Sequence, residues 1–101
     1  METPSKTSRE CALIAARAAD ERKATDIVVV KVGDVVDVTD YFVIVTAANT
    51  PHVEAVLDSI EEKVRIEAHV KPISREETRD RSWELLDYGN FVVNVFQPEA
   101  P

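Results

Sequence analysis

The stretch that most constrains this chain is Trp83–Gln97, W-E-L-L-D-Y-G-N-F-V-V-N-V-F-Q. It reads as two strands joined by a tight turn at Tyr88-Gly89-Asn90, where Gly89 can take the positive φ a tight turn needs. Side chains alternate across a strand, so Trp83, Leu85 and Asp87 share one face and Glu84, Leu86 and Tyr88 share the other. Both sets carry large apolar groups. A hairpin with water on one side normally has one polar set. This hairpin therefore lies between two layers or presents an apolar patch to a partner, and the residues alone leave both open.

The rest of the chain is long enough to build a core around that hairpin. At 101 residues and 45% apolar content, one domain is expected. A domain of this size buries roughly 65% of its unfolded surface, enough without covalent staples. Cys11 stands alone, so no internal disulfide can form, which fits a reducing compartment. It sits among alanines and reads as a small buried apolar residue. The net charge of −7 argues against direct nucleic-acid binding, since no basic run is left clear of Asp and Glu. An acidic domain suits a basic protein partner better. No apolar run approaches the ~18–20 residues that span a bilayer, and the start M-E-T-P-S-K-T-S-R-E lacks the apolar stretch of a signal peptide. The expectation is a cytoplasmic protein with no membrane contact.

A flexible tail is expected up to residue 8, followed by the domain over residues 9–98. Thr7-Ser8-Arg9-Glu10 has the form of a capping box. It predicts a helix to about Ala24, with Cys11, Ile14, Ala15, Ala18 and Ala19 on one face and Arg22 and Lys23 in the last turn. Asp26–Val32 reads as a first strand, β-branched with little alternation, as for a strand covered on both faces. Gly33-Asp34 breaks it, Val35–Thr39 is a mixed connection, and Asp40–Thr46 is the second strand. Asn49 or Thr50 then caps a helix with Pro51 in its first turn, running to about Glu67. Its apolar stripe is Val53, Val56, Leu57, Ile60 and Val64. His69–Ile73 reads as a short third strand, placed at an edge by Pro72. Ser74–Arg81 reads as a charged loop leading into the hairpin. The strand-helix-strand step around the second helix needs a crossover, so part of the sheet is parallel, while the final hairpin is antiparallel. The predicted fold class is α/β: a single domain with a mixed sheet of about five strands flanked by two main helices.

The search for chemistry finds little. There is no phosphate-loop motif and no G-x-G-x-x-G, and the chain holds two glycines. His52 and His69 are isolated and read as surface residues, so no zinc site is expected. Asp37, Asp40 and Asp87 are the carboxylates placed at strand ends, where a metal could be held. Without a D-x-D pair, Asp40 reads better as the start of its strand and Asp87 as support for the turn. No catalytic residue, cofactor or metal is expected. What remains is Trp83, Leu86, Asp87 and Tyr88, which form either core plus turn or an aromatic-centred contact surface.

Three segments together resemble the ribosomal silencing factors, the RsfS or Iojap-related family. Ala15–Val29, A-A-R-A-A-D-E-R-K-A-T-D-I-V-V, is similar to the family's alanine-rich helix, its A-D-x-K-x-A-x-D-I step and its first strand. Thr39–Ile44, T-D-Y-F-V-I, resembles the D-Y-F-V-I strand, with Asn49 opening the next helix. Trp83–Phe96 is similar to W-x-L-L-D-Y-G-D-x-V-V-H-x-F. The likeness covers about residues 9 to 100. It departs at Asn90 and Asn94, where the family usually has Asp and His, and at Ala47-Ala48 in place of Ser-Gly. The usual final segment, of the form R-x-F-Y-x-L-E-x-L-W, has no counterpart at residues 99–101.

The resemblance implies a non-catalytic protein with a fold related to the nucleotidyltransferases. It implies binding to the large ribosomal subunit through its fourteenth protein, a steric block to subunit joining, and lower translation when nutrients are scarce. It also implies a link to large-subunit assembly, and homodimers in isolation. Carried over by position, the partner surface falls on Trp83, Leu86, Asp87 and Tyr88, with Tyr41 and Asp40 beside them. The competing expectation is a small magnesium-dependent nucleotidyltransferase using Asp37, Asp40 or Asp87.

Overall fold

The computed structural model describes residues 6–34, 39–79 and 82–98. Its first helix, α1, spans Ser8–Glu21 and starts from both arms of the capping box. The Glu10 amide donates to Thr7 Oγ1 at 3.1 Å, and the Thr7 amide donates to the Glu10 carboxylate at 3.3 Å. These bonds satisfy amides that have no partner inside the helix. The helix stops short of the expected Ala24: Arg22 is the C-cap, and Lys23 turns left-handed at φ 66°. Both cations therefore lie past the last turn. The buried face is Cys11, Ala12, Ile14, Ala15, Ala18 and Ala19, small enough for close packing on its neighbours.

The second helix, α2, spans Thr50–Ala68 and begins at Asn49, whose Oδ1 accepts from the His52 amide at 2.9 Å. Its stripe is buried as expected, and His69 closes it in the left-handed conformation. The His52 ring is engaged rather than free. Nδ1 accepts from the Ala48 amide at 2.8 Å, so Nε2 carries the hydrogen and donates to the Arg22 carbonyl oxygen at 2.6 Å. One imidazole thus joins the start of α2 to the end of α1.

The strands are β1 Thr25–Lys31, β2 Tyr41–Thr46, β3 Ser74–Glu77, β4 Trp83–Asp87 and β5 Phe91–Phe96. They lie side by side in the order β1-β2-β5-β4-β3. The pair β2–β5 is parallel and the other three pairs are antiparallel. The mixed five-stranded sheet and the crossover through α2 are as predicted.

Two strands differ from expectation. The third strand is Ser74–Glu77, not His69–Ile73, and it falls within the stretch read as a charged loop. Arg75 explains it: its guanidinium lies 2.6 Å from Glu54 and 4.0 Å from Glu61 on α2, and 3.6 Å from Glu84 on β4. The ladder to β4 and an ionic clamp to the helix, not apolar burial, seat this edge. β1 is the other edge rather than a doubly covered strand, with Val28 and Val30 exposed. A bulge interrupts its pairing between Thr25 and Val28, where Asp26 has φ 50°. The connection 35–38 lies outside the described residues.

Both helices pack against each other and on the same side of the sheet. The alternation of β2, β4 and β5 then sorts every side chain. Facing the helices is a row Val29, Val43, Val93, Leu86 and Arg75, and a second row Val45, Val95, Glu84 and Glu77. Valines 43, 45, 93 and 95, Leu86 and Glu84 are fully buried. Burying the Glu84 carboxylate demands charged company, which Arg75 helps to supply. Among the described residues, no helix is long and apolar enough to cross a membrane.

Candidate partner-binding face

The turn that orients the hairpin is built from three local features. Gly89 has φ +87° at the first central position and Asn90 does not share it, the pattern of a type II′ connection. The Tyr88 amide donates to the Phe91 carbonyl at 3.0 Å, closing the loop. Asp87 Oδ1 accepts from the Gly89 amide at 2.7 Å, the supporting role read for it from sequence. The Tyr88 and Phe91 rings stack at 4.5 Å and 7° on the helix side.

On the other face, three rows cross the sheet. The first is Val30, Phe42, Val92, Asp87 and Ser74; the second is Val28, Ile44, Asn94, Leu85 and Glu76; the third is Thr25, Thr46, Phe96 and Trp83. Among the described residues, neither helix covers them. Phe42, Ile44, Trp83, Leu85 and Val92 are half-buried by one another, while Val28 is 49% and Phe96 40% exposed. A contiguous apolar surface of this kind, left open on a sheet, makes this face the candidate contact site. Within the three rows the charged residues are Glu76 and Asp87, both acidic. A depression of about 480 Å³ lies at that end, walled by Phe42, Trp83, Leu85, Val92 and Ile73, with Thr39, Asp87, Glu76 and Asn94 on its lining. Trp83 is fixed in it: Nε1–H donates to Asn94 Oδ1 at 3.2 Å, and the indole stacks on Phe96 at 6.1 Å and 18°.

The six residues placed at a partner surface from sequence are not brought together. Trp83 and Asp87 stand on the open face. Leu86 is fully buried on the helix side, and Tyr88 is 5% exposed with its hydroxyl inside the core. Burial pushes the Tyr88 phenol up from its usual range, with Glu61 and Cys11 adding to the effect. Tyr41 also faces the helices and packs against the core. Asp40 is exposed at the foot of β2, where its Oδ2 accepts from Ser8 Oγ at 3.1 Å and its carbonyl accepts from the Val32 and Gly33 amides. Phe42, Ile44, Leu85, Val92, Val28 and Phe96 share the open face with Trp83 and Asp87 and are not among the six. The signal for Leu85 was the alternation itself, which sets it beside Trp83 and Asp87.

Of the strand-end carboxylates, Asp40 and Asp87 are held by these structural bonds, and Asp37 lies outside the described residues. Among the described residues, Glu54, Glu77 and Glu84 do approach one another within 4.8 Å. The Arg75 guanidinium already brings a positive charge against two of them. The cluster reads as an ion-pair network that seats β3.

Known proteins share both the sequence pattern and the fold. Residues 5–100 match the family model described as ribosomal silencing factor during starvation. The chain is 40% identical over 86 residues to the chloroplastic protein Iojap of Zea mays, covering 83% of this chain and 36% of the maize protein. It is 31% identical over 83 residues to the chloroplastic protein Iojap of Arabidopsis thaliana, covering 82% of this chain and 34% of that one. The chain thus spans about a third of the length of these relatives. The crystal structure of protein CV0518 from Chromobacterium violaceum superposes with a TM-score of 0.84 at 25% identity, over 92% of this chain and 77% of that one. A Bacillus halodurans structure superposes with a TM-score of 0.77 at 24% identity, over 88% and 82%, and speaks to the fold alone. A family match over nearly the whole chain and a maize relative at 40% identity place this chain in the ribosomal silencing factor family.

Proposed function

We propose that this chain is a non-catalytic ribosomal silencing factor that docks on the large ribosomal subunit through the open face of its sheet. In this reading it meets the fourteenth large-subunit protein, blocks joining of the small subunit and represses translation under nutrient limitation, with a further role in large-subunit assembly. The observation that carries the reading is the uncovered apolar face that holds Trp83, in a chain of this family. Its charges, Glu76 and Asp87, suit a basic partner. Trp83 and Asp87 stay in the proposed site; Phe42, Leu85 and Val92 join it. Leu86, Tyr88 and Tyr41 support it from beneath, and Asp40 ties its lower end to α1.

The chain acts in the cytoplasm in this reading, although the two plant relatives are described as chloroplastic. Homodimers would use the same face and so compete with docking. Co-sedimentation with purified large subunits, followed by light scattering as small subunits are added, tests the proposal. The expected result is co-pelleting and slower subunit association, both lost on Trp83→Ala. A parent chain that neither pellets with large subunits nor slows association would refute the function.

A further inference from the structure

We propose that Asn94 is a positioning residue for the partner face, holding the Trp83 indole against the sheet before any partner arrives. The inference rests on the docking role given above. Asn94 stands in the middle row between Ile44 and Leu85, the polar residue at the centre of an otherwise apolar stretch. An amide there is costly to cover with a partner unless it is already bonded. Its bond is to Trp83: an indole N–H can only donate, so the amide must turn Oδ1 toward it, and the two atoms are 3.2 Å apart. Phe96 holds the same ring from its face. Between them the indole loses its choice of rotamer, and one wall of the depression beside Phe42, Leu85 and Val92 is formed in the free protein.

A side chain already ordered is not frozen on binding. That ordering alone is worth about 3- to 10-fold in affinity per rotamer-rich side chain. Asn94 therefore acts on recognition without needing to touch the partner.

Trp83 is the sole tryptophan, so every indole signal belongs to it. The test compares Asn94→Leu, which keeps the shape and loses the acceptor, with Asn94→Asp, which keeps an oxygen in place. Asn94→Val, a good strand former without an acceptor, repeats the first comparison should Leu disturb the sheet. Three quantities are read: the melting temperature, the hydrogen exchange of the indole N–H, and affinity for purified large subunits. The expected result for Asn94→Leu is a folded protein, indole exchange faster by about 10-fold, and affinity weaker by about 3- to 10-fold. Asn94→Asp should restore indole protection. A merely structural role would change melting without changing indole exchange. Unchanged exchange in folded Asn94→Leu and Asn94→Val overturns the proposal, as does unchanged affinity once exchange has risen. If the parent itself does not bind large subunits, the functional reading fails, and indole exchange alone then decides the role of Asn94.

Discussion

Leu86 and Trp83 sit three residues apart on one strand, yet the structure gives them opposite consequences. Consider each replaced by alanine. Leu86 is fully buried in the row with Val43 and Val93. Its truncation loses transfer free energy and leaves a cavity closed on every side, so about 3 kcal/mol of stability should go. For a domain of this size that lowers the melting temperature by about 12–24 °C. Trp83 is half-buried, and the free protein gives its indole one stacking contact and one hydrogen bond. Each is worth about 1 kcal/mol, so Trp83→Ala should cost about 2 kcal/mol and about 8–16 °C. Binding separates the two more sharply. An aromatic hot spot of an interface contributes at least about 2 kcal/mol, which is about 30-fold in affinity. Trp83→Ala should lose that much, and folded Leu86→Ala should stay within about 3-fold of the parent. The assay is thermal denaturation by circular dichroism, then co-sedimentation with large subunits well below both melting temperatures. If folded Leu86→Ala loses 10-fold or more while Trp83→Ala binds like the parent, the assignment of faces is wrong.

Three other outcomes follow from local geometry. Gly89→Ala places a Cβ at φ +87° and 3.0 Å from Ile73 Cδ1, and should cost about 1–2 kcal/mol in a denaturant titration, almost all of it backbone strain because the Ile73 tip is exposed and can move. Burial raises the Tyr88 phenol above its ordinary value, so the unfolded chain releases this proton first. The Tyr88 contribution to stability should be level below about pH 10 and fall above it, and Tyr88→Phe should remove that part of the fall at little cost at neutral pH, since the hydroxyl has no hydrogen-bond partner among the described residues. Cys11 is 3% exposed, and burial with neighbouring Glu10 pushes its thiol up. A disulfide reagent should modify it in the native protein at least about 100-fold more slowly than in denaturant; comparable rates would mean that the core is open.

Helix beginnings were legible because their bonds are local. The Thr7–Glu10 box and the Asn49 cap are complete within four residues of sequence, and both occur as read. The hairpin turn was legible for the same reason. β3 was not, because it carries no apolar alternation at all. It is held by ladder bonds to β4 and by Arg75 reaching Glu54, a residue twenty-one positions away. The apolar Val70 and Ile73 drew the strand reading upstream, into a segment that follows a left-handed cap. The valines of β1 suggested cover on both sides, whereas an edge strand on an open sheet can show the same run. The hairpin's faces stayed ambiguous because both sets carry large apolar groups, and the set that is buried also holds Glu84. Its charge is accommodated by an arginine that sequence spacing could not place beside it.

The sheet order has a consequence for how the molecule is made. β5 is synthesised after the other four strands described, yet it lies at the centre, between β2 and β4. Until residues 91–96 have emerged, β2 has a bare inner edge, and α1 and α2 have only part of a floor to pack on. The amino-terminal two-thirds of the chain must therefore wait, with apolar strand surface exposed, for a segment that arrives late. Final collapse should be a single event set by the entry of Phe91–Phe96. Truncations that remove this strand should leave no folded remnant, unlike losses confined to an edge.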